Sequence, residues 1–187
     1  MANCIINMGS TNGCSVSGGV SQIYIGNFDS GQTFIPDAVT GIITTFTQNP
    51  SPAVGVTPGV WKFDMEAEWS GLEGTGNFSL ENGTIFYESK LSMQFSHLDN
   101  ELRTILMQLG KAPLYAIIQS TEGDWYVLGD LIAGRTSAST ATLGKTMGDL
   151  NGATMEITFK SKEPLKLIDN ALLVPSATAT PTDIPVN

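Results

Sequence analysis

Histidine is nearly absent from this chain and cysteine is scarce: His97, Cys4 and Cys14 are the full set in 187 residues. Two cysteines, one histidine and no C-x-x-C spacing supply no plausible zinc ligand set. Cys4 and Cys14 are close enough in sequence to pair, but they make no disulfide framework, and free thiols in a reducing compartment are the expected state. No serine stands in a Gly-x-Ser-x-Gly context, so His97 reads as a helix-start or surface histidine and not as the base of a triad. Basic residues are few as well, nine Lys and Arg against 18 Asp and Glu, for a formal charge of −9. Nucleic acid is gripped by cations that displace counterions, and these cations are spread along the chain. Such a protein can stand beside DNA without holding it. There is no apolar run of membrane-spanning length and no charged, then apolar, leader pattern, so neither a membrane partner nor a secretion signal is expected. Gly71, Gly74 and Gly76 lack the strand-to-helix setting of a phosphate-binding loop, and no cofactor is implied.

What is abundant is glycine, with 20 residues, alongside serine and threonine. With a single convincing helix, that composition predicts a mostly β domain. A chain of this length buries roughly 70% of its extended surface and needs no metal or disulfide to hold together. The organising stretch is Gly83 to Thr121. GTIFYESKLSMQF alternates as a long strand, with Ile85, Tyr87, Leu91, Met93 and Phe95 on one face. The period then becomes helical over Leu98, Leu102, Ile105, Leu106 and Leu109. Ser96, with Asp99 three residues on, predicts the N-terminal cap; Gly110 is the expected C′ residue, and Pro113 prevents continuation. LYAIIQS from Leu114 is a strand, and STEGDWYVLGD turns it into a hairpin.

Before this unit, residues 1–19 form a Gly/Ser/Asn-rich arm. VSQIYIGNF predicts a strand with Val20, Gln22 and Tyr24 opposite Ser21, Ile23 and Ile25. GIITTFT (41–47) predicts another, and QNPSPAVGVTPG (48–59) a loop. VWKFDMEAEW (60–69) reads as one strand, Trp61, Phe63, Met65, Ala67 and Trp69 facing the core and Lys62, Asp64, Glu66 and Glu68 facing out. Gly71 and Gly74 to Gly76 suggest a loose turn, and Asn82-Gly83 a type I′ hairpin. Later, residues 129–148 are small and hydroxylated, a long exposed loop or an irregular edge strand. ATMEITF is a strand, and the domain, counted as 20–164, is followed by a Pro/Thr/Ala-rich extension, 165–187.

Two constellations invite a chemical reading. Asp64, Glu66 and Glu68 have the spacing of carboxylates on one strand face, as glycoside hydrolysis or a hard metal would require; it is equally the spacing of an ordinary exposed strand face. Trp125 with Tyr126 suggests an aromatic platform for a sugar, the basis of a second reading as a β-sandwich carbohydrate-binding or adhesion module.

The segments NGTIFYESKLSMQFSHLDNELRTILMQLGKAPLYAIIQSTEGDWYVLG and GKTMGDLNGATMEITFKSKEP, within about residues 80–164, resemble the tail tube (major tail) proteins of long-tailed bacteriophages, in particular those of Bacteroides-related hosts. Residues 1–79 match less clearly. The resemblance implies a β-sandwich or partly closed barrel with one flanking helix, a non-enzymatic virion protein whose rings, commonly sixfold, stack into a tube for DNA. It implies assembly in the bacterial host cytoplasm and residence in the virion tail. It also implies partners among copies of itself and other tail or neck proteins. On that reading, Asp64, Glu66 and Glu68 are candidates for the lumen, and Arg135, Thr136 and Lys145 for a loop that reaches the next subunit.

Overall fold

A computed structural model describes residues 18–29, 31–47, 60–66, 68–79, 81, 83–96, 99–146, 150–169 and 182–184. The arm before Gly18, the 48–59 loop, Asn82, His97, Leu98 and both cysteines lie outside these. In chain order the elements are β1 (Val20–Asn27), β2 (Thr33–Pro36), β3 (Ile43–Thr47), β4 (Val60–Asp64), β5 (Ser70–Ser79), β6 (Thr84–Phe95), α1 (Asn100–Leu109), β7 (Leu114–Ser120), β8 (Trp125–Leu128), β9 (Arg135–Thr142), β10 (Gly152–Ser161), β11 (Lys166–Leu167) and β12 (Thr182–Ile184).

They build a mostly β, sandwich-like structure with one helix among the described residues. A six-stranded sheet runs β11-β8-β7-β1-β4-β12, a four-stranded sheet runs β5-β6-β10-β9, and β2 pairs with β3 as a separate hairpin. The main core lies between the two larger sheets. Ile23, Ile25, Phe63 and Ile118 come from one side, and Leu91, Phe95, Met155 and Phe159 from the other. Phe63 and Phe95 meet across the gap with ring centroids 5.6 Å apart. A second cluster covers the opposite face of the six-stranded sheet, where Ile43, Phe34 and Phe46 of the hairpin cover Tyr115, Ile117 and Trp125. That sheet is therefore buried on both faces at β7, which is why Leu114 to Ile118 form an unbroken apolar run instead of alternating.

Tyr115 sits in the second cluster with Phe34 and Phe46 centroids at 6.0 and 5.8 Å. Burial pushes its hydroxyl up to about 12. The neutral phenol is thus favoured in the folded chain, and the unfolded chain releases the proton first. Stability is whole below the ordinary tyrosine value of about 10 and falls by roughly 2–3 kcal/mol as pH climbs towards 12. Urea midpoints at pH 9 and 11.5 should show the native protein losing ground to Tyr115→Phe at the higher pH; an unchanged gap would remove this assignment.

Helix α1 buries Leu102, Ile105 and Leu109, as its period predicts. Its cap differs from the expected pattern. Asp99 is itself the N-cap, extended at φ −93°, and its Oδ1 accepts from the Leu102 N–H at 2.7 Å. Gly110 is not left-handed: at φ −65° it continues the helical turn and donates to the Leu106 carbonyl. Asp99→Ala should cost about 1 kcal/mol in a urea titration, because one helix N–H loses its acceptor.

Four readings change. The stretch 60–69 is not one strand: β4 ends at Asp64 in the six-stranded sheet, and by Ser70 the chain has crossed to β5 in the four-stranded one. Between them the Trp69 N–H bonds back to the Glu66 carbonyl, and Glu68 takes φ +72°. The glycines at 71, 74 and 76 make no loose turn; they lie inside β5, paired to β6 along its whole length. A side chain at Gly76 would meet the Phe78 ring at 2.8 Å, so that ring occupies the space the glycine leaves. The β5–β6 connection is four residues, 80–83, with Gly83 at φ +60°, and not a two-residue turn. In β1, an irregularity between Val20 and Gln22 turns Val20 into the same core as Ile23 and Ile25.

The sheet continues past residue 164. β11 pairs with β8, and Ile168 is buried. Lys166 bridges Asp130 at 2.7 Å and Glu163 at 3.0 Å, holding this segment down.

Candidate functional site

Among the described residues the four-stranded sheet has two unlike faces and two open edges. Its inner face supplies core: Leu91, Met93 and Phe95 of β6 beside Met155, Ile157 and Phe159 of β10. The alternate residues form an outer face that is polar wherever β6 pairs with β10. Glu88, Lys90, Ser92 and Gln94 stand opposite Lys160, Thr158, Glu156 and Thr154. On the flanks, Glu73 stands opposite Lys90, Arg135 opposite Thr158 and Thr140 opposite Thr154. The charges neutralise one another across strands. Lys90 Nζ lies 2.9 Å from Glu156 and Lys160 Nζ 3.8 Å from Glu88. The hydrogen bond that Lys90 donates to Glu156, reinforced by the carboxylate's charge, raises the ammonium above its ordinary value.

The edges are long. β5 has ten residues and β9 has eight, each paired with a neighbour on one side only. β9, RTSASTAT, lies within the stretch 129–148 read as a long exposed loop or irregular edge, and the structure makes it an edge strand with nearly every residue exposed. A bulge between Glu156 and Ile157 adjusts its register. Small residues let another backbone approach closely, and nothing in β9 carries the lysine or proline that usually blunts an edge. At the far end of β5 and β6, the hairpin extends beyond β10 and exposes Phe78, Ile85 and Phe86; Lys160 lies over the Phe86 ring.

The residues singled out from sequence are placed as follows. Asp64 ends β4, exposed, with Lys62 Nζ 3.0 Å away. Glu66 and Glu68 are exposed in the crossover to β5. Because the strand breaks there, the three carboxylates do not share one strand face, and the hydrolytic, metal and lumen readings lose that common premise. Among the described residues no group of three or more His, Cys, Asp or Glu converges on a metal position. Arg135 and Thr136 lie in β9 itself. The Thr136 hydroxyl donates to the Leu109 carbonyl at 3.1 Å, fastening the edge strand to the end of α1. Lys145 is exposed in the turn that follows β9.

Trp125 is no exposed platform. It is 7% exposed, packed 5.8 Å from the Tyr24 ring under the β2–β3 hairpin. Tyr126 packs against the other core, on the opposite face of β8. A recess beside Trp125 is rimmed by Asp37, Asp124 and Asp169. The Asp37 carboxylate is already committed to its own turn, accepting from the Val39 and Thr40 N–H groups at 3.0 and 2.8 Å; those bonds hold it below the usual carboxylate range.

The sequence reading missed the polar face of β6 and β10 as a candidate site. Its signal was present in the alternation of Glu88, Lys90 and Ser92 with Thr154, Glu156 and Thr158, but only strand pairing shows that these rows become one surface. The chain matches no family model, no curated protein and no solved structure.

Proposed function

We propose that this chain is a structural subunit that joins copies of itself edge to edge into rings, and that stacked rings form a phage tail tube through which DNA passes. The observation that carries the reading is the four-stranded sheet, both of whose long edges are open among the described residues. Its strands alternate in direction, and their number is even, so β9 and β5 run oppositely. A neighbour generated by rotation then brings its β5 antiparallel to this β9, and every copy repeats the same join. Such a head-to-tail contact makes a ring when the rotation closes, and closure removes the exposed edges.

On this reading the polar face of the sheet lines the bore. Glu73, Glu88 and Glu156 are offset there by Lys90, Lys160 and Arg135. A mixed surface on a protein of net charge −9 gives a polyanion no run of cations to bind, so DNA slides without being held. The residence in a virion tail, the assembly in a bacterial cytoplasm and the contacts with neck or other tail proteins rest on the family resemblance. Negative-stain electron microscopy of the concentrated protein tests the whole: tubes with a central bore are expected, and monodisperse single subunits at every concentration would sink the proposal.

A further inference from the structure

The two large sheets end their edges differently. Both edges of the six-stranded sheet are made by the last part of the chain: β11 lies against β8, and β12 lies against β4. β12 pairs parallel to β4, with Thr182 opposite Trp61, Asp183 opposite Lys62 and Ile184 opposite Phe63. It is three residues long, and in the sequence it stands between Pro181 and Pro185. Proline offers no N–H to a ladder, so this strand cannot lengthen and presents a poor template to any further chain. A short, proline-bracketed edge is a known way for sheets to avoid pairing with others. Without it, β4 would show five residues of unpaired backbone.

We propose that residues 182–184 are an edge guard: in the free chain they occupy the ladder positions on β4 that a strand from a second copy would take, and so confine pairing between copies to β5 and β9. What is protected rests on the self-assembly reading, but the guard can be tested without it. Of two consecutive strand residues one donates towards its neighbour, so the full chain carrying Thr182→Pro with Asp183→Pro loses the pairing while keeping all other described elements. Sedimentation velocity across a concentration series should show this variant self-associating at about one-tenth of the parent concentration. Deuterium uptake over residues 60–64, measured below the concentration at which it associates, should be faster in it. An excess of the peptide TATPTDIPVN, residues 178–187, should restore the parent behaviour on both counts. If the double variant associates and exchanges like the parent, or the peptide leaves it unchanged, the guard is overturned. Absence of tubes from the parent at any concentration would count against the tube alone, because the comparison of guarded and unguarded chains remains readable.

Discussion

Gly152→Ala is expected to leave a chain that does not hold its native fold. Gly152 opens β10, paired with Thr142 of β9 and followed by Ala153 opposite Phe95 of β6. A Cβ there would fall inside the van der Waals shell of the Phe95 carbonyl oxygen, with the Phe95 carbonyl carbon at 2.9 Å. Those atoms are backbone, so no side chain can rotate away. Relief requires β6 and β10 to separate where both the Phe95 and Met155 side chains are buried. Overpacking a core costs about 1–3 kcal/mol when side chains can yield; against fixed backbone at a sheet junction the loss should exceed about 4 kcal/mol, a large part of a single domain's stability. Gly83→Ala is the internal control. Gly83 has φ +60° but open space around it, so the cost is that of a left-handed alanine, about 1–2 kcal/mol. Thermal melts of the two variants decide the matter: equal, small losses would mean that Gly152 is not locked against β6.

Those glycines also mark where the sequence is legible and where it is not. Asn82-Gly83 and Asn151-Gly152 read alike as turn dipeptides, yet one glycine serves a left-handed backbone and the other a close approach, and only the strands brought alongside tell them apart. Long alternating runs were readable, because Leu91, Met93 and Phe95, and Met155, Ile157 and Phe159, each bury one face. The helix was readable for the same reason. The break after Asp64 was not. Phe63 before it, Met65 just past it and Leu72 in the other sheet all pack on one core, so the apolar alternation carries straight through the crossover. The residue that takes the left-handed conformation there is Glu68, and no glycine or proline announces it. With the break goes the shared face of Asp64, Glu66 and Glu68. Trp125 was misjudged by its place next to a turn; it packs on the Tyr24 ring, in a cluster that the β2–β3 hairpin, far back in the chain, helps to build. The edge role of β9 was half visible in its small residues, and its completion required knowing that no described strand lies beyond it.

Ser139→Lys is expected to abolish association of copies while leaving the single subunit folded. Ser139 is exposed and stands opposite Met155, on the core-facing side of β9. In the free chain a lysine there can pass its stem along the edge and keep its ammonium in water, so the change in stability should stay within about 0.5 kcal/mol. When β5 of a neighbour pairs on β9, the side chain is enclosed between the two subunits and the ammonium must give up water without a partner. Even a penalty of about 3 kcal/mol at each join raises the concentration needed for association by roughly 100-fold. Thr140→Lys separates this effect from charge alone. Thr140 is the next residue, opposite Thr154 on the polar face, so its lysine points away from the join and association should change by less than about threefold at moderate salt. Sedimentation equilibrium on the parent and both variants, with far-ultraviolet circular dichroism to confirm the fold, gives the answer. If the lysine at 139 assembles as readily as the lysine at 140, β9 is not where the copies meet. The ring would then have to be built on some other surface, with the exposed Phe78 and Ile85 of the β5–β6 hairpin the next to vary.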